Sequence, residues 1–258
     1  MIQVLCGAFL ISFSSIFVKL VHVGPTAALF YRFLFGGLAL LMVTMMKGAP
    51  LWQGRRPMFL AVAGGVVFSL DLFFWHRSIH YIGPGLATLL GNFQVFFLAA
   101  VGVIFQKERL TLRFIIATLS AFAGFLLMVG FDFASMPPLY RLGIIYGLLT
   151  AISYAALTLI FQKSQLIFPR LSPGANMAWV CAVGAIAGAM EILPSGENFT
   201  IPDLESLIFL IAYGIICSAI GWSLISRGLP KVSASLAGLA LILQPIGHKC
   251  LIDVIKSN

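Results

Sequence analysis

The chain has 258 residues, of which 60% are hydrophobic and only 9% charged, and its mean hydropathy is +1.05. A water-soluble domain, with roughly 25% charged residues, is excluded. The net charge of +8 raises the question of a nucleic-acid partner, which the placement of the basic residues answers in the negative.

A helix needs about 20 apolar residues to cross about 30 Å of hydrocarbon. Stretches near that length lie at 2–20, 26–46, 58–78, 85–105, 112–131, 142–162, 174–193, 206–226 and 232–247, the last of them short. The first has no basic region before it and no small-residue cleavage site after it, so it reads as a retained helix rather than a signal peptide. The runs are too continuous for barrel strands, which alternate apolar and polar residues. The expected fold class is therefore an all-α membrane protein with about nine transmembrane helices.

With the amino terminus cytoplasmic, the inside connections carry Lys47, Arg55, Arg56, Lys107, Arg109, Arg113, Lys163, Arg170, Arg227 and Lys231. The outside connections carry Lys19, Arg77 and Arg141, with Glu197, Asp203 and Glu205 between the seventh and eighth stretches. This is the positive-inside bias of a multi-pass protein in a cell or inner membrane. The basic excess orients the chain, and no nucleic-acid partner is expected. The Asn198-Phe-Thr200 sequon is close to the bilayer, which argues against glycosylation.

Ionisable groups at membrane depth are costly and are functional candidates by default. Arg32 lies seven residues after Pro25 and Asp71 seven before Ser78, about 10 Å below the same surface at 1.5 Å per residue. Two readings follow: a buried salt bridge fixing two helices, or a substrate site. In the second, Arg32 receives a carboxylate or phosphate and Asp71 an ammonium or a coupling proton, which suits a zwitterionic metabolite. Trp75 lies one turn beyond Asp71 and is a stacking candidate. His76 and His80 have helical metal-pair spacing but no accompanying carboxylate or cysteine, so a solvated interface is expected and no metal. Asn92, Gln94, Ser153, Tyr154, Trp179, Trp222 and Gln244 are uncharged candidates, the alternative for the amides being an interhelical hydrogen bond. Gly143-x-x-x-Gly147 and Gly184-x-x-x-Gly188 allow close helix contact. Cys6, Cys181, Cys217 and Cys250 lack metal or redox spacing and read as small fillers.

The window from Arg77 to Val95 aligns without gaps on Arg227 to Pro245 at an offset of 150, with Arg77/Arg227, Leu86/Leu236, Ala87/Ala237, Leu89/Leu239 and Gln94/Gln244 identical. A repeat unit of five helices follows, and an odd unit inserts its second copy upside down. Inverted repeats serve alternating access in secondary transporters, with Gln94 and Gln244 expected to face one another near mid-membrane. The run from Pro25 through Tyr31-Arg32 to Phe35, the turn Gly83-Pro84-Gly85-Leu86-Ala87-Thr88 and the loop Lys107-Glu108-Arg109-Leu110-Thr111 resemble EamA-type transporters of the drug/metabolite transporter superfamily. Val232-Ser-Ala-Ser-Leu-Ala and Leu243-Gln244-Pro245 echo them in the second half.

The resemblance implies two inverted five-helix repeats, 1–131 and 141–258, and cargo such as amino acids, nucleotide-like or adenosyl-type compounds, or drugs. It also implies a tenth helix, whereas the chain after Pro245 carries His248, Lys249 and Asp253. A truncation or frameshift after about Gly247 is expected, with a non-functional remnant as the alternative reading. An intramembrane enzyme would need paired aspartates, HExxH or a serine with its base, and none is evident. No cofactor is expected. The expected partners are the lipid bilayer and a small-molecule substrate, with coupling to a proton or counter-substrate and a homodimer left open.

Overall fold

A computed structural model describes residues 1–129 and 136–241. The regular elements among the described residues are all helical: α1 (Ile2–Ser12), α2 (Ser14–Leu20), α3 (Pro25–Met46), α4 (Arg55–Ile82), α5 (Pro84–Gly91), α6 (Gln94–Gln106), α7 (Leu112–Val129), α8 (Pro138–Ile167), α9 (Pro173–Ser195), α10 (Leu204–Ala212), a π-helix (Tyr213–Trp222), α11 (Ser223–Gly228), a 3₁₀ turn (Leu229–Lys231) and α12 (Ala234–Leu241). Proline occupies the first turn of α3, α5, α8 and α9, where its missing N–H costs nothing and its fixed φ favours the helix. Ser172 caps α9 through Ala175 N, and Asp203 caps α10 through Ser206 N at 2.6 Å.

Seven of the nine expected spans are long and apolar enough to cross a membrane: Ile2–Leu20, Pro25–Met46, Arg55–Ile82, Pro84–Gln106, Pro138–Ile167, Pro173–Leu193 and Leu204–Lys231. The 18 residues of α7 rise about 27 Å, just under the hydrocarbon thickness. The stretch 232–247 is described only through Leu241, and the residues after it, Gln244 and the candidate truncation point among them, lie outside the described residues.

Helix α4 packs along α8 and α9, α3 packs along α9 and the π-helix, α1 packs on the π-helix and α11, and α6 packs on α12. The predicted glycines lie at close approaches. A Cβ on Gly184 would fall 2.6 Å from the Phe33 ring, on Gly188 2.7 Å from Leu29, on Gly143 2.6 Å from Ile82 and on Gly147 2.6 Å from Leu90. Cys181 and Cys217 are buried in the packing.

The loop after each of α3 and α9 holds the start of the other. Glu197 accepts from Thr26 N at 3.3 Å and Ala27 N at 2.9 Å, a carboxylate on the positive end of α3. At the other end Gln53 accepts from Ser172 N at 2.6 Å, and the Trp179 indole donates to Leu51 O at 3.0 Å. The two helices therefore run antiparallel. A third such contact follows α6: Lys107 adopts a left-handed conformation, φ 55°, and Glu108 accepts from Ala234 N at 2.8 Å, Ser235 N at 3.3 Å and the Ser235 hydroxyl. Gln162 donates to Leu229 O at 3.3 Å and Val232 O at 2.8 Å, and accepts from Gln106 at 3.4 Å. These bonds gather the ends of α3, α6 and α8 and the starts of α4, α9 and α12 into one end of the bundle, the end where Lys47, Arg55, Arg56, Lys107, Arg109, Lys163, Arg170 and Lys231 lie. It is called the basic end below.

Candidate functional site

A cavity of about 90 Å³ opens between α1, α2, α3, α4, α5, α8 and the π-helix. Measured along the helices from the end opposite the basic one, Arg32 is seven residues deep, Asn92 eight, Asp71 eleven and Thr150 twelve, or about 10–18 Å. Its floor is an aromatic cluster around Trp222, with ring centroids 4.9 Å from Phe68, 5.6 Å from Tyr154 and 5.4 Å from Phe161.

Arg32 is 2% exposed and is held from the π-helix. Its Nε donates to Ser218 Oγ and its Nη1 to Tyr213 Oη, both at 3.0 Å. The guanidinium lies over two rings, 4.8 Å from the centroid of Tyr213 and 5.2 Å from that of Phe68, an arrangement that stabilises a desolvated cation. The salt bridge to Asp71, one of the two readings of the sequence, is not formed: among the described residues the ion pairs within 4.0 Å are His22–Asp203 and Arg77–Glu191. The hydroxyls of Ser218 and Tyr213 take the place that the carboxylate would fill in that reading.

Asp71 is 7% exposed, and its Oδ1 has no hydrogen-bond partner. A buried acceptor left unpaired is costly unless an occupant satisfies it. Trp222 Nε1, an unpaired buried donor, lines the same cavity. With the Ser14 hydroxyl, also buried and unpaired, the walls present an open acceptor, an open donor and a group that can be either.

Of the residues singled out from sequence, Arg32, Asp71, Trp75, Asn92, Tyr154 and Trp222 line this one cavity. Gln94 is fully buried with both amide atoms unpaired, but it is not part of the lining. Gln244 lies outside the described residues, as does any contact between the two. Trp179 sits elsewhere, on a groove between α3 and α9. His76 corrects the expectation of a solvated interface: it is buried, its Nε2 without a partner, because α4 continues to Ile82 and keeps it inside the bundle.

Sequence reasoning missed Tyr213, Ser218, Ser12, Ser14, Thr88 and Thr150. It also missed three interruptions of helix that abut the cavity: the break at Phe13 between α1 and α2, the break at Asn92 and Phe93 between α5 and α6, and the π-helix. Irregular backbone at membrane depth is tolerated where it is buried or lines a cavity. π-Helical turns are frequent at functional sites. The available signal was the polar runs Ser12-Phe13-Ser14-Ser15 and Gly91-Asn92 inside otherwise apolar stretches.

A family model described as the EamA-like transporter family matches residues 1–130 and 141–251. Among solved structures, 24 chains match. One, titled only as the crystal structure of a protein, superposes with a TM-score of 0.80 at 18% identity, covering 99% of this chain and 87% of its own. At that identity the likeness is one of fold. No curated protein matches the chain.

Proposed function

The chain belongs to the EamA-like transporter family, and from that premise we propose that it is a secondary transporter moving a small polar metabolite by alternating access. The observation that carries this reading is the unpartnered Asp71 carboxylate oxygen in a cavity inside a bundle of membrane-length helices. Asp71 accepts an ammonium of the substrate or a coupling proton. Arg32, fixed at two nitrogens, keeps Nη2 for a carboxylate or phosphate, while Trp75, Tyr154 and Trp222 cover its apolar part and Asn92 adds an amide. Amino acids, nucleotide-like or adenosyl-type compounds and drugs share the required mixture of polar head and apolar body.

Inverted five-helix repeats, 1–131 and 141–258, supply the motion in this reading. Their support is internal. The starts of α5 and α12, Pro84 and Ala234, are separated by the 150-residue offset found in the sequence. The packing of α4 on α8 and α9 is mirrored by that of the π-helix and α11 on α1 and of the π-helix on α3. The antiparallel α3 and α9 hold one another's starts. The basic end, tied by Glu108, Gln106 and Gln162, is the closed side, and the cavity lies toward the other. Orientation in an inner or cell membrane with the amino terminus cytoplasmic follows from the basic bias.

Thermal-shift measurement of the purified protein against a metabolite panel tests the site. At least one panel member is expected to stabilise the wild type and to leave Asp71→Asn unshifted. A ligand that stabilises both equally would remove Asp71 from the site.

A further inference from the structure

We propose that the seam between the start of α4 and the end of α8 is a binding site for one anionic phospholipid, its phosphate held by Arg55, Arg56 and Lys163. These three cations line a cavity of about 470 Å³ at the basic end, apart from the central one. The rest of the lining is apolar, with Phe59 71% and Ile167 52% exposed. Because α4 begins at this end and α8 finishes there, Arg55 and Arg56 stand at the rim. Lys163 lies one turn before Ile167 on α8 and lines the same cavity, and a lysine so placed can lay its stem along apolar surface and keep its ammonium in water.

None of the three cations has a hydrogen-bond or ion-pair partner among the described residues. The described acidic residues are placed elsewhere. Asp71 is in the central cavity, Glu108 on α12, Glu191 on Arg77, Glu197 on α3, Asp203 on α10 and His22, and Glu205 in the first turn of α10 at the opposite end. The seam therefore carries three uncompensated positive charges within reach of one cavity. A second chemistry is required by its position. Phe59 lies one turn beyond Arg55 on a helix that goes on to cross the membrane, so an occupant at the rim meets water and the cations above and hydrocarbon below. A free phosphate satisfies the cations but leaves the Phe59 and Ile167 surface bare, and an uncharged lipid satisfies only the latter. An anionic phospholipid fits both, and basic pockets between membrane helices recognise such headgroups.

Native mass spectrometry of the purified full chain, titrated with dioleoylphosphatidylglycerol, dioleoylphosphatidylcholine or inorganic phosphate, tests the assignment. One phosphatidylglycerol adduct is expected at concentrations where phosphatidylcholine leaves none, and millimolar phosphate is expected not to displace it. Each of Arg55→Gln, Arg56→Gln and Lys163→Gln should weaken it about fivefold. The double variant Lys107→Gln/Arg109→Gln, which removes charge at the same end but off the seam, should leave it unchanged. Equal retention of the two lipids, or an equal loss in the Lys107/Arg109 control, would overturn the site as specific. Displacement by phosphate would reassign it to a free anion. The wild-type comparison of the two lipids stands even where a variant fails to fold.

Discussion

Asp71 and Arg32 occupy one cavity without forming a pair, which separates their roles. Arg32 is positioned by the Tyr213 and Ser218 hydroxyls and two aromatic faces, whereas Asp71 keeps an open oxygen. The depth of Arg32 was legible from the count after Pro25, whereas Asp71 lies deeper than the count from Ser78 gives, because α4 continues to Ile82 and each residue adds about 1.5 Å. The partners of Arg32 were not legible, because they come from a π-helix more than 180 residues further along the chain. A second residue-scale feature lies outside the membrane: His22 Nδ1 meets Asp203 Oδ2 at 3.0 Å. The His22 pKa is raised from 6.5, first by the hydrogen bond with Asp203 and then by its charge. That of Asp203 is lowered from 3.8, first by the Ser206 N–H and then by His22. The His22 contribution is complete below 6.5 and is lost as pH rises through its raised value. The Asp203 contribution is complete above 3.8 and is lost as pH falls through its lowered value. Melting curves in detergent should therefore show a shallow loss of stability on the alkaline side of 6.5 that is absent in His22→Gln, the pair being exposed and weak.

Elements were legible where hydropathy marks them. The expected 26–46 and 112–131 are observed as Pro25–Met46 and Leu112–Val129. The expected 58–78 is observed as Arg55–Ile82, because a helix continues past the hydrocarbon on residues such as Arg55, Arg56 and His80 that a hydropathy window rejects. The breaks at Phe13 and Asn92 were only weakly legible, since the short polar runs Ser12-Phe13-Ser14-Ser15 and Gly91-Asn92 barely lower the hydropathy of the stretches that contain them. The glycine repeats were legible as contact surfaces, and α9 on α3 is the sharpest case. Gly184→Val would drive a branched side chain into Phe33, which is itself fully buried. We expect a destabilisation of about 1–3 kcal/mol, read as a lower melting temperature, while Gly174→Ala, whose nearest neighbour is Thr44 Oγ1 at 3.4 Å, should change little.

At the scale of the whole molecule, the bundle is asymmetric along its axis. Side-chain bonds tie both ends, through Glu108, Gln106, Gln162 and Gln53 at the basic end and through Glu197 and Glu191 at the other, and the aromatic-floored cavity lies nearer the latter. In the proposed function the basic side is the closed one, and an inverted pair of repeats would exchange the two ends. The expectation of such a pair rests on five identities at one offset, too few to reveal which helices pack. The interlocked starts of α3 and α9 needed coordinates, because Glu197 and Gln53 are single polar residues in short loops. Flux of a labelled metabolite panel into proteoliposomes tests the central claim most directly. The account predicts that the wild type moves at least one panel member and that folded Asp71→Asn moves none. Transport by Asp71→Asn at the wild-type rate would contradict it.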